Sequence, residues 1–321
     1  EGEVVSGPAV RAEVAKQARA LNARKEVDVG AVRDVLEFLR PSRPDREHMN
    51  VADELCGWEA CQGAIRKCKK GKGMGIDGFD GYLVRLMPLW MQRRYHEILQ
   101  GIVREKHYPP AWNQWVAVLA MKPGEDGKEL GRRRDLWLQC HSAKCVLRML
   151  CGEYDRAARE AVGAANAGFT QARNAPEQTL VARLLAADAA SARAPVCRAY
   201  LDLGTFFQSV VFDVSKSVEA WAGVQPEVTD VITHLREGLT EAGLDPLTGK
   251  YETAYGLTEA VPVEKGLGQG DLTSPVRSKL VIDVMAGVVR KLCRGAGMMA
   301  GKGSLPCIWF ADDGALLARD V

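Results

Sequence analysis

Three aspartates are the residues of this chain whose types and surroundings best suit chemistry. Asp202 ends an apolar run, "CRAYLDLG", and Asp312 and Asp313 stand side by side in "CIWFADDG". Strand ends and tight turns can bring carboxylates to one edge of a sheet and hold them rigid. Oxygen donors converging on one point suit Mg²⁺, a hard ion that takes a rigid octahedron. Two such ions about 4 Å apart activate a 3′-hydroxyl and stabilise a leaving pyrophosphate. That reaction needs positioning and charge neutralisation more than a covalent nucleophile. Asp-Asp-Gly is also a good exposed turn. Alone it reads first as such a turn; the apolar run that precedes it, "CIWFA", strengthens the chemical reading, because an Asp at the end of a buried strand is less often idle.

A second set is basic or glycine-flanked. Lys122 and Arg134 bracket a polar loop, "PGEDGKELGRR". On a two-stranded finger they would grip a triphosphate, Lys as a point charge and Arg as a fork. By themselves they read first as a solvated basic loop. Gln269 lies between Gly268 and Gly270, where bare backbone can approach a base pair closely. An ordinary glycine turn is the alternative there.

The elements that must position these residues follow from periodicity. Helices are expected over 8–40, 52–70 and 81–105, and then strands at "WVAVLAMK" and "DLWLQC". Two amphipathic helices follow, "SAKCVLRMLCGEYDRAAREAV" and "PEQTLVARLLAADAASA". Beyond residue 196 strands and helices alternate. "VCRAYLDLG" is a strand, 214–222 and 226–242 are helical, and "KYETAYGLTEAVPVEKGL" makes two short strands. "SPVRSKLVIDVMAGVVRKLCRG" is a helix, and "LPCIWFADDGALLARDV" is strand, turn, strand. The pattern is α+β.

The 321 residues are 47% hydrophobic with a net charge of +2, so the chain is a globular protein rather than a polycation. Any nucleic-acid affinity must come from local basic surface. Nine cysteines, an odd number, fit reduced thiols in an intracellular compartment better than a disulfide framework. Cys56, Cys61 and Cys68 lack zinc-site spacing and read as buried thiols. No apolar run is long enough to span a bilayer. The start and the finish of the chain both read as ends of a fragment.

Three segments, in order, resemble the palm motifs of reverse transcriptases. "LDLGTFFQSV" carries Asp202 with an aromatic, Phe207, five positions on. "GLGQGDLTSP" is similar to Gly-x-x-Gln-Gly-x-x-x-Ser-Pro, and "FADD" to aromatic-Ala-Asp-Asp. Upstream, "KGMGIDGF" resembles the Lys-x-Pro-Gly-x-Asp-Gly segment of non-LTR retrotransposon and group II intron enzymes. "RRRDLWLQCHSAK" resembles their Arg-Pro-Ile-x-Leu stretch, and "AGFTQARNAPEQ" their Gly-Phe-x-x-x-Arg motif. The likeness runs from about Lys72 to Leu317.

The resemblance implies an RNA-directed DNA polymerase in its fingers and palm portion, with the thumb absent. The palm would be a ferredoxin-like antiparallel sheet backed by helices. It divides the chain into an N-terminal helical extension (1–70), fingers (71–195) and a palm that stops after the Asp-Asp hairpin (196–321). Asp202, Asp312 and Asp313 would bind two Mg²⁺ ions, with Mn²⁺ as a substitute, and the Leu203 carbonyl would complete the oxygen shell. Lys122, Arg134, Phe207 and Gln269 would hold the nucleotide, Phe207 excluding a 2′-hydroxyl by bulk. Lys72, Lys144, Arg173, Gly268 and Gly270 would contact template and primer. The partners implied are an RNA template, a DNA primer and dNTPs, in the nucleus or an organelle.

Departures from the motifs are Met74 and Asp135 where the family has proline, and Gly204 to Gln208 in place of Ser-Lys-Ala-Phe-Asp. Asp135 is expected to set a negative charge beside Arg134 and weaken its grip. These departures support a second reading, a retrotransposon remnant serving as a structural subunit of a larger protein or ribonucleoprotein assembly. A group II intron maturase is the third.

Overall fold

The computed structural model describes residues 6–39, 48–122, 124, 133–161, 163, 166–170, 172–237, 247–300 and 303–318. The chain is mixed α+β. Helices α1 (Gly7–Asn22), α2 (Val29–Leu39), α3 (Val51–Glu54), α4 (Trp58–Arg66), α5 (Tyr82–Leu86) and α6 (Leu89–Glu105) precede strands β1 (Gln114–Met121) and β2 (Arg133–Leu138). Then come α7 (His141–Ala161), α8 (Ala175–Ser191), β3 (Cys197–Asp202), α9 (Phe206–Ser209), α10 (Phe212–Ala222) and α11 (Pro226–Glu237). Short strands β4 (Thr248–Thr253), β5 (Gly256–Leu257) and β6 (Val261–Pro262) lead to α12 (Ser274–Leu292). Two hairpins close the chain, β7 (Met298–Ala300) with β8 (Gly303–Leu305), and β9 (Cys307–Phe310) with β10 (Asp313–Ala318).

Three expected helices are each broken in two, for local reasons. Asp28 ends the gap between α1 and α2, its carboxylate accepting the Ala31 amide at 3.0 Å as an N-cap does. Gly57 precedes α4, and Pro88, which has no amide to donate, precedes α6. The β7–β8 hairpin is not anticipated by the sequence pattern.

One sheet has the order β2-β1-β4-β5, with β6 also on β4. Only β1 and β4 run parallel; the other pairs are antiparallel. One face buries Trp115, Ala117, Trp137 and Tyr251 against Ala15 and Ala18 of α1. Pairing therefore crosses the boundaries expected from the resemblance. Three strands from 196–321 and a helix from 1–70 complete a sheet whose other two strands come from 71–195.

The second sheet is antiparallel, in the order β3-β10-β9. Alternation sends Cys307 and Trp309 to one face, packed on Ile282 and Ala286 of α12. Ile308, Ala315 and Leu317 go to the other face, against Leu185 and Ala189 of α8. Helices thus cover both faces rather than one. Buried Glu219 fixes α12 in place, accepting from Arg277 Nε at 2.6 Å, Ser215 Oγ at 2.7 Å and Tyr154 Oη at 2.8 Å. All nine cysteines are free. Among the described residues no helix is long and apolar enough to cross a membrane.

Candidate functional site

The sheet register brings the aspartates together. Asp202 at the end of β3 is the cross-strand partner of Asp313 at the start of β10. Asp312 occupies the two-residue loop between Phe310 and Asp313, and its carbonyl accepts the Leu203 amide at 3.4 Å. Like charges directly opposite on a sheet repel. None of the three carboxylates has a cation partner among the described residues. Burial pushes the Asp313 carboxyl above its ordinary value, and the charges of Asp312 and Asp202 push it further. The three share an edge rather than a preformed cage. Among the described residues no three His, Cys, Asp or Glu side chains are arranged as a metal-binding group. The donors are all oxygen and uncompensated, which fits a hard divalent cation. The Leu203 carbonyl, expected in the oxygen shell, accepts the Phe206 amide at 3.1 Å.

The hairpin turn is strained and braced. Ala311 has φ 53°, in the left-handed region where a two-residue hairpin favours glycine. Gly168 packs directly against it, because a Cβ there would stand 2.2 Å from the Ala311 nitrogen. The same loop is tied to β9 by the Ala167 amide donating to the Trp309 carbonyl at 3.0 Å. The segment "AGFTQAR" therefore buttresses the carboxylate turn, a role its sequence does not announce. Gly168→Ala is expected to cost about 1–3 kcal/mol, because the strained turn has nowhere to move. Thermal unfolding measures it, and an unchanged melting temperature would contradict the packing.

Phe207 is half-buried, its ring 6.2 Å from that of Phe169 and 5.9 Å from that of Phe206. Its carbonyl accepts the Leu267 amide at 2.6 Å, which links it to the glycine loop. On the loop's other side, the Trp137 amide donates to the Gln269 carbonyl at 2.7 Å. The glycines permit this fit. A Cβ at Gly268 would lie 2.4 Å from the Trp115 ring, and one at Gly270, where φ is 114°, 2.6 Å from the Trp137 carbonyl. Gln269 is thus held between β2 and the segment that follows Asp202.

Ala120 and Arg134 are register partners and share a face. Lys122 lies just past the end of β1, and Arg134 is exposed. Asp135 does not sit beside Arg134 as expected. Alternation along β2 turns it to the opposite face, where it is fully buried with neither carboxyl oxygen hydrogen-bonded among the described residues. Burial pushes it up to about 7, opposed by the charge of Lys122.

Lys72, Lys144 and Gly270 line one cleft of about 380 Å³. Lys67, Lys69, His141 and Arg148 join them and were not singled out as site residues, although "RKCKKGKG" and the Lys144/Arg148 i,i+4 spacing advertise a basic patch. Burial and the charge of Arg148 hold Lys144 below its ordinary value. Arg173 does not line this cleft. It pairs with Glu177 at 2.8 Å, at the start of α8. No family model matches this chain, and no curated protein matches its sequence.

Proposed function

We propose that this chain is the fingers and palm of an RNA-directed DNA polymerase of the non-LTR retrotransposon and group II intron type. One observation carries the reading: the register that sets Asp202 against Asp313, with Asp312 adjacent and no cation among the described residues to balance them. Mg²⁺ held there would activate a primer 3′-hydroxyl and neutralise the leaving pyrophosphate. The chain's own residues do the rest. Lys122 and Arg134 present positive charge for a triphosphate, Phe207 shapes the sugar position, and Gln269 is held where a base pair would pass.

The basic cleft suits the phosphates of a template, which supply most of the affinity in such complexes. Lys72→Ala and Lys144→Ala are each expected to weaken RNA binding across all sequences. Each should also lower the slope of log affinity against log salt by about one. Fluorescence anisotropy over a salt series measures both effects, and an unchanged slope would remove the cleft from the interface.

The decisive test is primer extension by the full chain on a poly(rA)/oligo(dT) duplex with dTTP and Mg²⁺. Equal activity in Asp312→Ala would sink the assignment. The departures at Met74 and at Gly204 to Gln208 support the second reading, a structural subunit of a larger protein or ribonucleoprotein assembly. Tight Mg²⁺-dependent dNTP binding in calorimetry would count against it.

A further inference from the structure

Beneath the glycine loop lies a buried ion pair that the polymerase reading does not use. Arg236, at the end of α11, is 4% exposed and Asp271, just before α12, is 3% exposed. The Arg236 guanidinium pairs with the Asp271 carboxylate. It also donates to the Gly266 carbonyl at 3.2 Å and to Ser274 Oγ at 3.4 Å. Its carbon lies 5.4 Å from the centre of the Trp115 ring, the same ring that meets Gly268. Asp271 is saturated as well, accepting the Thr273 amide at 3.1 Å, Thr273 Oγ1 at 3.1 Å and Ser274 Oγ at 3.2 Å.

A buried ion pair is a poor source of stability, since desolvation offsets most of the attraction. What this pair does is geometric. One guanidinium touches the first residue of the loop, the carboxylate that follows the loop, the first residue of α12 and the aromatic floor on β1. The loop it clamps bridges the two sheets. At one end the Gly266 and Leu267 amides donate to Val210 and Phe207 at 2.8 and 2.6 Å. At the other end Gln269 pairs with β2.

We propose that Arg236 and Asp271 are positioning residues. Their ion pair latches the 266–270 loop so that Gln269 stays in register with β2 while Phe207 stays in register with the aspartate edge. A shift of the strand pair that carries Lys122 and Arg134 is then passed through the loop to Phe207. The latch rests on the polymerase reading only for the identity of the ligand.

The test is hydrogen exchange on the full chain, with calorimetric binding of dTTP in Mg²⁺. In Arg236→Gln the amides of Gly266, Leu267 and Trp137 are expected to exchange about tenfold faster, with β3–β10 amides unchanged. The dTTP dissociation constant is expected to rise about tenfold, and Arg236→Lys should recover most of both effects. Asp271→Asn keeps the side-chain shape and one acceptor, and should give the same exchange pattern if Arg236→Gln fails to fold. Unchanged exchange at those three amides, or uniform acceleration over the whole chain, would overturn the proposal. If the wild-type chain binds no dTTP, the polymerase reading fails, and the exchange pattern alone decides for or against the latch.

Discussion

Asp313→Asn is expected to abolish Mg²⁺-dependent primer extension while raising the melting temperature. The two effects have one origin. Three carboxylates share a sheet edge with no cation partner among the described residues, so each charge raises the cost of the next. The Asp313 carboxyl is pushed up by burial and by Asp312 and Asp202. For an acid raised in the folded state, stability is highest below its unfolded value and is lost as pH rises through its folded value. Asparagine removes that loss and one ligand together. Extension should fall by about 10³-fold, the size of removing a preorganised electrostatic contact. Thermal unfolding at pH 8, beside extension assays, separates the outcomes. A lower melting temperature would mean that the edge is not repulsive. Retained extension would remove Asp313 from the chemistry.

Asp135→Asn is expected to be the largest stabilising change. The wild-type carboxyl is fully buried, has no hydrogen-bond partner among the described residues and is pushed up to about 7. Its neutral form is tolerated in the fold, and its charged form is not. Stability through this group is complete below about pH 4 and falls between about pH 4 and 7, with no further loss above that. A shift of this size corresponds to about 2–4 kcal/mol at pH 8. Denaturant unfolding of both proteins at pH 4 and pH 8 should show near-equality at the lower pH and the full gap at the higher one. Equal gaps at both pH values would mean that the fold does not raise the Asp135 carboxyl above its unfolded value.

Much of this was legible in the sequence because the signals are local. The runs around Asp202 and "FADD" are short apolar stretches closed by a glycine, and both contain strands. The three carboxylates were named from those runs, and the register places them together. The strands carrying Lys122 and Arg134 were likewise readable from their β-branched and aromatic content. What was not legible depends on partners distant in the chain. Nothing in "KYETAY" says that β4 adds in parallel to β1, because pairing is decided by packing on α1 and not by propensity. Asp135 read as a surface charge in a run of arginines, and only the strand's alternation turns it inward. The helix breaks at Asp28 and Pro88 did have local signals, a capping aspartate and a proline. The apolar periodicity on either side of each break masked them. Gly168 looked like part of a binding motif, while its contact with the Ala311 backbone depends on a hairpin more than a hundred residues further on.

The parallel pairing of β1 with β4 joins residues more than a hundred positions apart, Gln114 with Thr248 among them. Loop closure over such a span must be met before any contact rewards it, and parallel, non-local pairing is slow for that reason. The β1–β4 sheet, with the Lys122/Arg134 strand pair and the floor of the glycine loop, therefore waits on a distant segment of the chain. A chain emerging from the ribosome would hold β1 and β2 without their third strand until residue 248 had been made. Through that interval an apolar strand edge stands open, which makes β1 the segment most dependent on chaperone cover during synthesis.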